Sequence, residues 1–392
     1  MRTLINAGAL LEVRLDAIVA NWQLLQHRAG RARCAAVVKA DAYGLGAAQV
    51  APALYAAVCR SFFVAHLDEA IALRPLLADD AAVQVLHGLP PGAELEALVH
   101  GLVPVLNSLP QIDAWSRLAT GLGRCLPALL QVDTGMARLG LDAGELERVV
   151  AEPMRLQGLS VQAVMSHLVS AEHPSDPLNA VQLQRFRNAL KRLPAAPASL
   201  ASSSGIFLGQ DYHFDLVRPG AAMYGVAPVA GQPNPMQPVV RLRSKLIQLR
   251  RIDPGCGVGY GHAWTARRPS RIATLATGYA DGWLRSLGNR ARVHFEGWTL
   301  PLVGKVSMDT ITVDVTDVPE SLLCEGVLFD LIGGDLSVDE VAAAAGTIGY
   351  EILTSLGRRY ARLHVHEDAA RVRATCPREV PARSAEGRIV VG

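Results

Sequence analysis

Short apolar runs alternate with helix-like segments along the first 218 residues of this chain, and that alternation limits its fold more than any single motif. The runs lie at 35–38, 62–65, 82–86, 103–106, 126–132, 159–165, 198–201 and 216–218. Each is short and mostly apolar, as expected of a strand covered on both faces in a parallel sheet. Segments with apolar residues at helical spacing separate them, among them 68–74 and 178–190. A further helix is expected at 17–27, where Ile18, Val19, Trp22, Leu24 and Leu25 share a face and Asp16 reads as the N-cap. Eight strand–helix units in about 225 residues match the size of a (β/α)8 barrel, roughly 250 residues, better than an open doubly wound sheet. At 392 residues, half of them hydrophobic, the chain exceeds one ordinary core and suits two domains.

The pattern changes after Gly-Gln-Pro-Asn-Pro-Met-Gln-Pro at 231–238, which reads as a linker. Beyond it, apolar and polar residues alternate at 240–246, 291–295 and 310–315, and a helical pattern returns at 338–345. The expected architecture is therefore α/β: an N-terminal (β/α)8 barrel over 1–235, a mainly antiparallel β domain over 236–381 and a tail over 382–392. A first strand at about 10–15 is able to join the second domain. The net charge is +2, with basic and acidic residues interspersed, which argues against a nucleic-acid partner. No stretch is long and apolar enough to suggest a membrane span, and Glu12, Arg14 and Asp16 interrupt the apolar start too early for a signal peptide. Six scattered cysteines, without Cys-x-x-Cys or histidine at ligand spacing, suggest reduced structural thiols, no metal and a cytoplasmic protein.

In a barrel, residues just past each strand's C-terminal end face one shared pocket. Lys39 follows the first apolar run, where an amine is placed to condense with a carbonyl. Asp133 to Gly140, Ser166-His167, Ser202 to Gly205 and Arg218-Pro-Gly-Ala221 follow four others. Each alone has an ordinary explanation: a solvated lysine, a satisfied core histidine, a serine-rich loop, a surface ion pair. Recurrence at five strand ends favours a site, and its hydroxyls and glycine amides suit a phosphate.

These residues carry a family resemblance. Val-Val-Lys-Ala-Asp-Ala-Tyr-Gly-Leu-Gly at 37–46 resembles the pyridoxal-phosphate signature of alanine racemases. Val-Asp-Thr-Gly-Met-Ala-Arg-Leu-Gly at 132–140, Val-Arg-Pro-Gly at 217–220, Gly-Val-Gly-Tyr-Gly at 257–261, Gly-Tyr-Ala-Asp-Gly-Trp at 278–283 and Ser-Met-Asp at 307–309 resemble further motifs of that family, in its order. Single motifs are weak; the ordered set over residues 10 to 365 is specific.

The resemblance implies a racemase that interconverts L- and D-alanine by moving the Cα proton between two bases. Lys39 would hold pyridoxal 5'-phosphate as a Schiff base, with Tyr43, Ser203, Gly220 and Ala221 around the phosphate. Lys39 would serve one face, and Tyr260, assisted by His167, the other. Arg218 would face the pyridine nitrogen, while Arg138 and the backbone of Met308 would bind the substrate carboxylate. Tyr279, Arg285 and Asp309 match supporting positions. Tyr260 and Met308 would come from the second subunit of a head-to-tail homodimer.

Two positions depart from the family pattern. Gln131 stands where many members carry a carbamylated lysine that orients the arginine, and its oxygen is expected to accept from Arg138. Arg358 stands where some carry a tyrosine near the cofactor, which leaves serine or basic amino acids open as substrates. A related pyridoxal-phosphate decarboxylase is the alternative, but its His-Ile-Gly-Ser type loop and C-terminal catalytic cysteine are not evident.

Overall fold

A strand buried on both faces needs parallel neighbours on each side, and the apolar runs find them by closing a ring. The computed structural model describes residues 5–365; the expected tail at 382–392 lies outside the described residues. Strand β1 (Ala9–Arg14) precedes the ring, whose strands are β2 (Arg33–Cys34), β3 (Ala36–Val37), β4 (Ser61–Val64), β5 (Ala82–Val85), β6 (Val103–Leu106), β7 (Leu126–Gln131), β8 (Leu159–Met165), β9 (Ala198–Ser199) and β10 (Leu216–Val217). Strands β3 to β9 pair in sequence order, all parallel.

β10 closes the circle by pairing with β2, immediately before β3. The Ala35 N–H donates to Val217 O at 2.9 Å and the Val37 N–H to Pro219 O at 3.0 Å. On its other edge β10 meets β9, with the Asp215 N–H donating to Ala198 O at 3.0 Å and the Arg218 N–H to Ala201 O at 2.9 Å. The eight apolar runs are thus the eight staves of a (β/α)8 barrel.

Inside the ring, Ala35, Val37, Phe63, Val103, Val105, Leu129, Ala163, Met165 and Leu216 form a buried apolar plug. Helices cover the outside. In Leu15–Ala29 the buried face is Ile18, Trp22, Leu25 and Ala29, and the Trp22 indole donates to Ala35 O at 3.2 Å. This helix starts two residues earlier than Asp16 capping requires. β1 runs straight into it, so Arg14 holds the cap position and Asp16 pairs with Arg14 at 3.1 Å from within the first turn, where a negative charge suits the helix dipole. Pro177–Leu190 is capped as the sequence suggests a helix should be, with the Asp176 carboxylate accepting the Leu178 N–H at 2.9 Å.

The second half is a mostly antiparallel sheet built on one long strand, β11 (Val240–Ile252). It pairs with β1, placing Ala9 opposite Ser244, and with Ser270–Leu275 and Leu328–Ile332. The first strand therefore sits in this sheet, where it also meets Ala361–Val365 in parallel. Helix Val338–Ala345 falls where the pattern placed it. Cys34, Cys59, Cys125 and Cys256 are free, whereas Cys324 is disulfide-bonded, which corrects the expectation of reduced thiols throughout. No helix among the described residues is long and apolar enough to cross a membrane.

Phe63 is fully buried within the ring. Its replacement by Ala is expected to cost about 3–5 kcal/mol, because partial collapse around the void does not recover the lost contacts. The midpoint of urea unfolding is the measurement; an unchanged midpoint would mean that the plug does not hold the barrel.

Candidate active site

Lys39 leaves the barrel at the end of β3, and the backbone that follows is unusual. Instead of an ordinary turn, Lys39–Gly44 contains four successive non-glycine residues in the left-handed region: Ala40, Asp41, Ala42 and Tyr43 at φ 52, 53, 53 and 56°. L-residues resist this conformation by roughly 1–2 kcal/mol each. Several contacts hold it. The Ala42 N–H donates to Val38 O and the Gly46 N–H to Asp41 O, both at 2.9 Å, and the Asp41 carboxylate accepts the Ala47 N–H at 2.7 Å. The Tyr43 ring packs on Tyr224 with centroids 4.8 Å apart. From the second half, the Arg362 guanidinium donates to Gly44 O and the His364 ring nitrogen lies 2.8 Å from Leu45 O.

The turn opens on a cavity of about 1020 Å³ at the C-terminal ends of the barrel strands. Lys39, Tyr43, Gln131, Arg138, His167, Ser203, Arg218, Gly220 and Ala221 all line it, as do Ile348, Tyr350 and Thr354 from the second half. The structure thus gathers nine of the residues named from sequence into one chamber.

At one end, the Ser203 hydroxyl accepts the N–H groups of Gly220 at 2.9 Å and Ala222 at 3.2 Å. A methyl group at Gly220 would lie 2.3 Å from the Tyr43 hydroxyl oxygen, so only glycine lets the tyrosine reach this corner. Ser203, Ser204, the Tyr43 hydroxyl and the start of the helical turn Ala221–Tyr224 form a donor-rich pocket that fits a phosphate.

Arg218 is almost fully buried, donates to Ser166 O at 2.7 Å and to the Ser199 hydroxyl, and has no carboxylate partner among the described residues. Ser166 in turn donates to Val132 O at 2.7 Å and lies 2.8 Å from the Thr134 hydroxyl, so three strand ends hold the guanidinium in place. Burial lowers Arg218 to about 10, which leaves it charged at neutral pH. Burial, then Arg138, lowers the Lys39 amine below its ordinary value, while Glu69 acts in the opposite sense. Burial, then Arg218, Arg138 and Lys39, pushes His167 down to about 3, so its imidazole is neutral. A half-buried amine lowered below its ordinary value, an anion pocket and a buried cation without a carboxylate partner among the described residues are what a phosphate-bearing aldehyde cofactor requires, and the chamber fits it.

Other expected residues behave differently. The Gln131 amide donates to Leu139 O at 3.1 Å and makes no hydrogen bond to Arg138, contrary to the expected acceptance from that arginine. The amide is turned by the tight loop in which Gly140 leaves no room beside the Asp133 backbone. Arg358 is exposed and off the cavity wall. Tyr260, Tyr279 and Met308 are also outside the cavity, 68%, 43% and 53% exposed, on the second half of the chain. The Tyr279 N–H donates to Ser307 O and the Ala280 N–H to Met308 O, both at 3.0 Å, which joins two of them in one patch. Asp309 pairs with Arg359 at 2.7 Å, and Arg359 also grips the buried Asp281 carboxylate at 2.6 and 2.8 Å. Arg285 is exposed on the turn Arg285–Leu287 and makes no ion pair among the described residues.

Comparison with known proteins decides the family. Residues 13–228 match the model of the alanine racemase N-terminal domain, and residues 239–364 that of the C-terminal domain. The chain belongs to the alanine racemase family.

Among its relatives, the alanine racemase of Rhodospirillum rubrum is 53% identical over 91% of this chain and 96% of its own length. That of Brucella abortus is 48% identical over 92% and 94%. The crystal structure of alanine racemase from Bartonella henselae, with covalently bound pyridoxal phosphate, superposes with a TM-score of 0.89 at 43% identity, covering 92% of this chain and all of that one.

Sequence reading of this racemase fold missed Ser199, Tyr350, His87, Glu69 and Arg359 as parts of the site and its supports. Tyr350 reaches the cavity from the second half of the chain, where no strand-end signal applied, whereas His87 directly follows the apolar run 82–86 and was passed over. Glu69 had a cue of another kind, a glutamate three residues after His66 at the start of a helix.

The lowered His167 value has a consequence for stability. Unfolded histidine titrates near 6.5, so as pH falls below that value the unfolded chain binds a proton that the folded chain refuses. The stability contributed by neutral His167 is present above about pH 6.5 and is lost progressively as pH falls toward about 3. Unfolding free energy measured between pH 7 and 5 should fall less steeply in His167→Gln than in the parent protein; identical slopes would show that His167 is free to protonate.

Proposed function

We propose that Lys39 and Tyr260 are the two bases of this alanine racemase, each serving one face of the substrate Cα atom, and that the tyrosine comes from a second copy of the chain. The protein interconverts L- and D-alanine with pyridoxal 5'-phosphate, which when bound supplies the electron sink that acidifies the Cα proton. Lys39 anchors the cofactor and, with its amine lowered below its ordinary value by burial and Arg138, is suited to take and return a proton. Ser203, Tyr43, Gly220 and Ala221 hold the phosphate. Arg218 faces the ring nitrogen. A guanidinium donates hydrogen bonds without giving up its proton, so it leaves that nitrogen unprotonated and limits the sink, which disfavours side reactions.

Arg138 receives the substrate carboxylate on its planar fork, joined by the backbone N–H of the partner subunit's Met308. Neutral His167 is able to hydrogen-bond the phenol of the partner subunit's Tyr260 and so lower the cost of its ionisation. Tyr279, Arg285 and Asp309 support the same patch. We place the enzyme in the cytoplasm, in keeping with four free thiols among the described residues, with the Cys324 disulfide as the exception.

One observation supports this division most directly. Lys39 lines the cavity of its own chain, whereas Tyr260 and Met308 lie exposed elsewhere on that chain, so they complete a site only when another copy brings them to it. A head-to-tail homodimer satisfies both sites at once.

Tyr260→Phe should keep the cofactor and lose racemisation by about 10²–10⁴-fold. In deuterated water it should still exchange the Cα proton of D-alanine, which by family resemblance Lys39 serves, without inverting it. Normal racemisation, or equal exchange of both enantiomers, would make a single mobile base necessary.

Lys39→Ala and Tyr260→Phe, each nearly inactive, should regain about a quarter of parental activity when unfolded and refolded together, since half of the dimers would be hybrids with one complete site. A mixture no more active than its components would show that each chain builds its site alone.

A further inference from the structure

Glu69 stands in the first turn of the helix Leu67–Leu73, directly after β4, and its two oxygens do different things. Oε2 accepts the N–H groups of Ala65 at 2.8 Å and His66 at 3.0 Å, as a capping glutamate does. Oε1 leaves the helix, crosses to the neighbouring strand end and accepts the Ala40 N–H at 2.6 Å. Ala40 is the first left-handed residue of the turn and the immediate successor of Lys39. Fixing its peptide fixes the direction in which the Lys39 side chain leaves the backbone, at the point where the chain is most inclined to relax to an ordinary turn.

The same carboxylate acts on Lys39 through its charge. Around the amine, the cavity wall carries Tyr43, Arg138, Arg218, His87, His167 and the Glu172 carboxylate on the barrel side and Tyr350 and Glu351 on the facing segment. Of the other carboxylates nearby, Asp41 is engaged by the Ala47 N–H, and Asp68 lies on the helix that carries Glu69. Arg138 lowers the Lys39 amine and Glu69 raises it.

We propose that Glu69 is a positioning residue for racemisation: by holding the Ala40 N–H it fixes the Lys39 amine against the face of the substrate that the lysine serves. The proposal rests on the two-base reading above, and predicts an effect on one enantiomer more than on the other. A capping role alone would touch both faces equally.

The test is Glu69→Gln, made in the parental holoenzyme and in Tyr260→Phe. Cα deuterium exchange of each alanine enantiomer is followed against pH, with cofactor content read from absorbance. In the parental background we expect D-alanine exchange to fall roughly tenfold or more and L-alanine exchange to fall less, because a small misplacement of a reacting group is costly. The acid limb of the D-alanine profile should move to lower pH, since the lost anion favoured the ammonium form. Equal losses on both enantiomers with an unmoved limb would reduce Glu69 to a helix cap and overturn the proposal.

If Tyr260→Phe alone exchanges both enantiomers equally, the two-base reading fails, and the limb of total exchange decides for Glu69: a shift upholds its hold on the amine and no shift refutes it. Should Glu69→Gln not fold, Glu69→Asp keeps the charge on a shorter arm. It is expected to slow D-alanine exchange with the limb in place, and equal slowing of both enantiomers overturns the proposal there too.

Discussion

The left-handed turn after Lys39 is the constraint on which the rest of the site depends. Four consecutive L-residues in that region carry an intrinsic cost of several kcal/mol, by the roughly 1–2 kcal/mol each incurs, so the turn exists only because its surroundings over-determine it. Those surroundings come from every part of the chain. Tyr224 supplies a ring from the last barrel unit, Glu69 a carboxylate from the second strand–helix connection, and Arg362 and His364 donors from the final described strand. The domain-spanning contacts are therefore part of the chemistry, because they set the direction of the reactive amine.

A second organising feature is an excess of positive charge around a neutral imidazole. Arg218, Arg138 and Lys39 share the chamber, and each presses His167 toward neutrality. Buried cations are costly without anions, and Arg218 finds only hydroxyl and carbonyl partners among the described residues. Such a chamber is arranged for a ligand with negative charges. In the proposed arrangement, a phosphate at the Ser203–Gly220 end and a carboxylate at the Arg138 end would supply them, which would make ligand binding and charge neutralisation one event. Gln131, neutral and turned to Leu139, leaves Arg138 exposed at the cavity without a hydrogen-bond or ion-pair partner among the described residues.

Much of this was legible in the order of residues. The eight apolar runs became eight staves because burial on both faces leaves a parallel strand no other environment, and the residues after five of them met in one chamber because the C-terminal ends of barrel strands share one side. Where the reading failed, the missing information was spatial. Asp16 looked like a cap until β1 ran into its helix without a break; Asp309 had no visible partner until Arg359 folded back from the segment after Ser355. Arg358 looked like a pocket residue by its offset, yet it faces solvent.

By itself, the sequence determined the barrel, the β domain and the position of Lys39 at a barrel strand end, because these follow from hydrophobic period, strand-end position and motif order, all of which are local. Tertiary structure alone decided the hand of the turn that aims Lys39, the neutrality of His167 and the placement of Tyr260 and Met308 beyond reach of their own cavity. Those depend on burial and on contacts between residues far apart in the chain, and no local pattern encodes either.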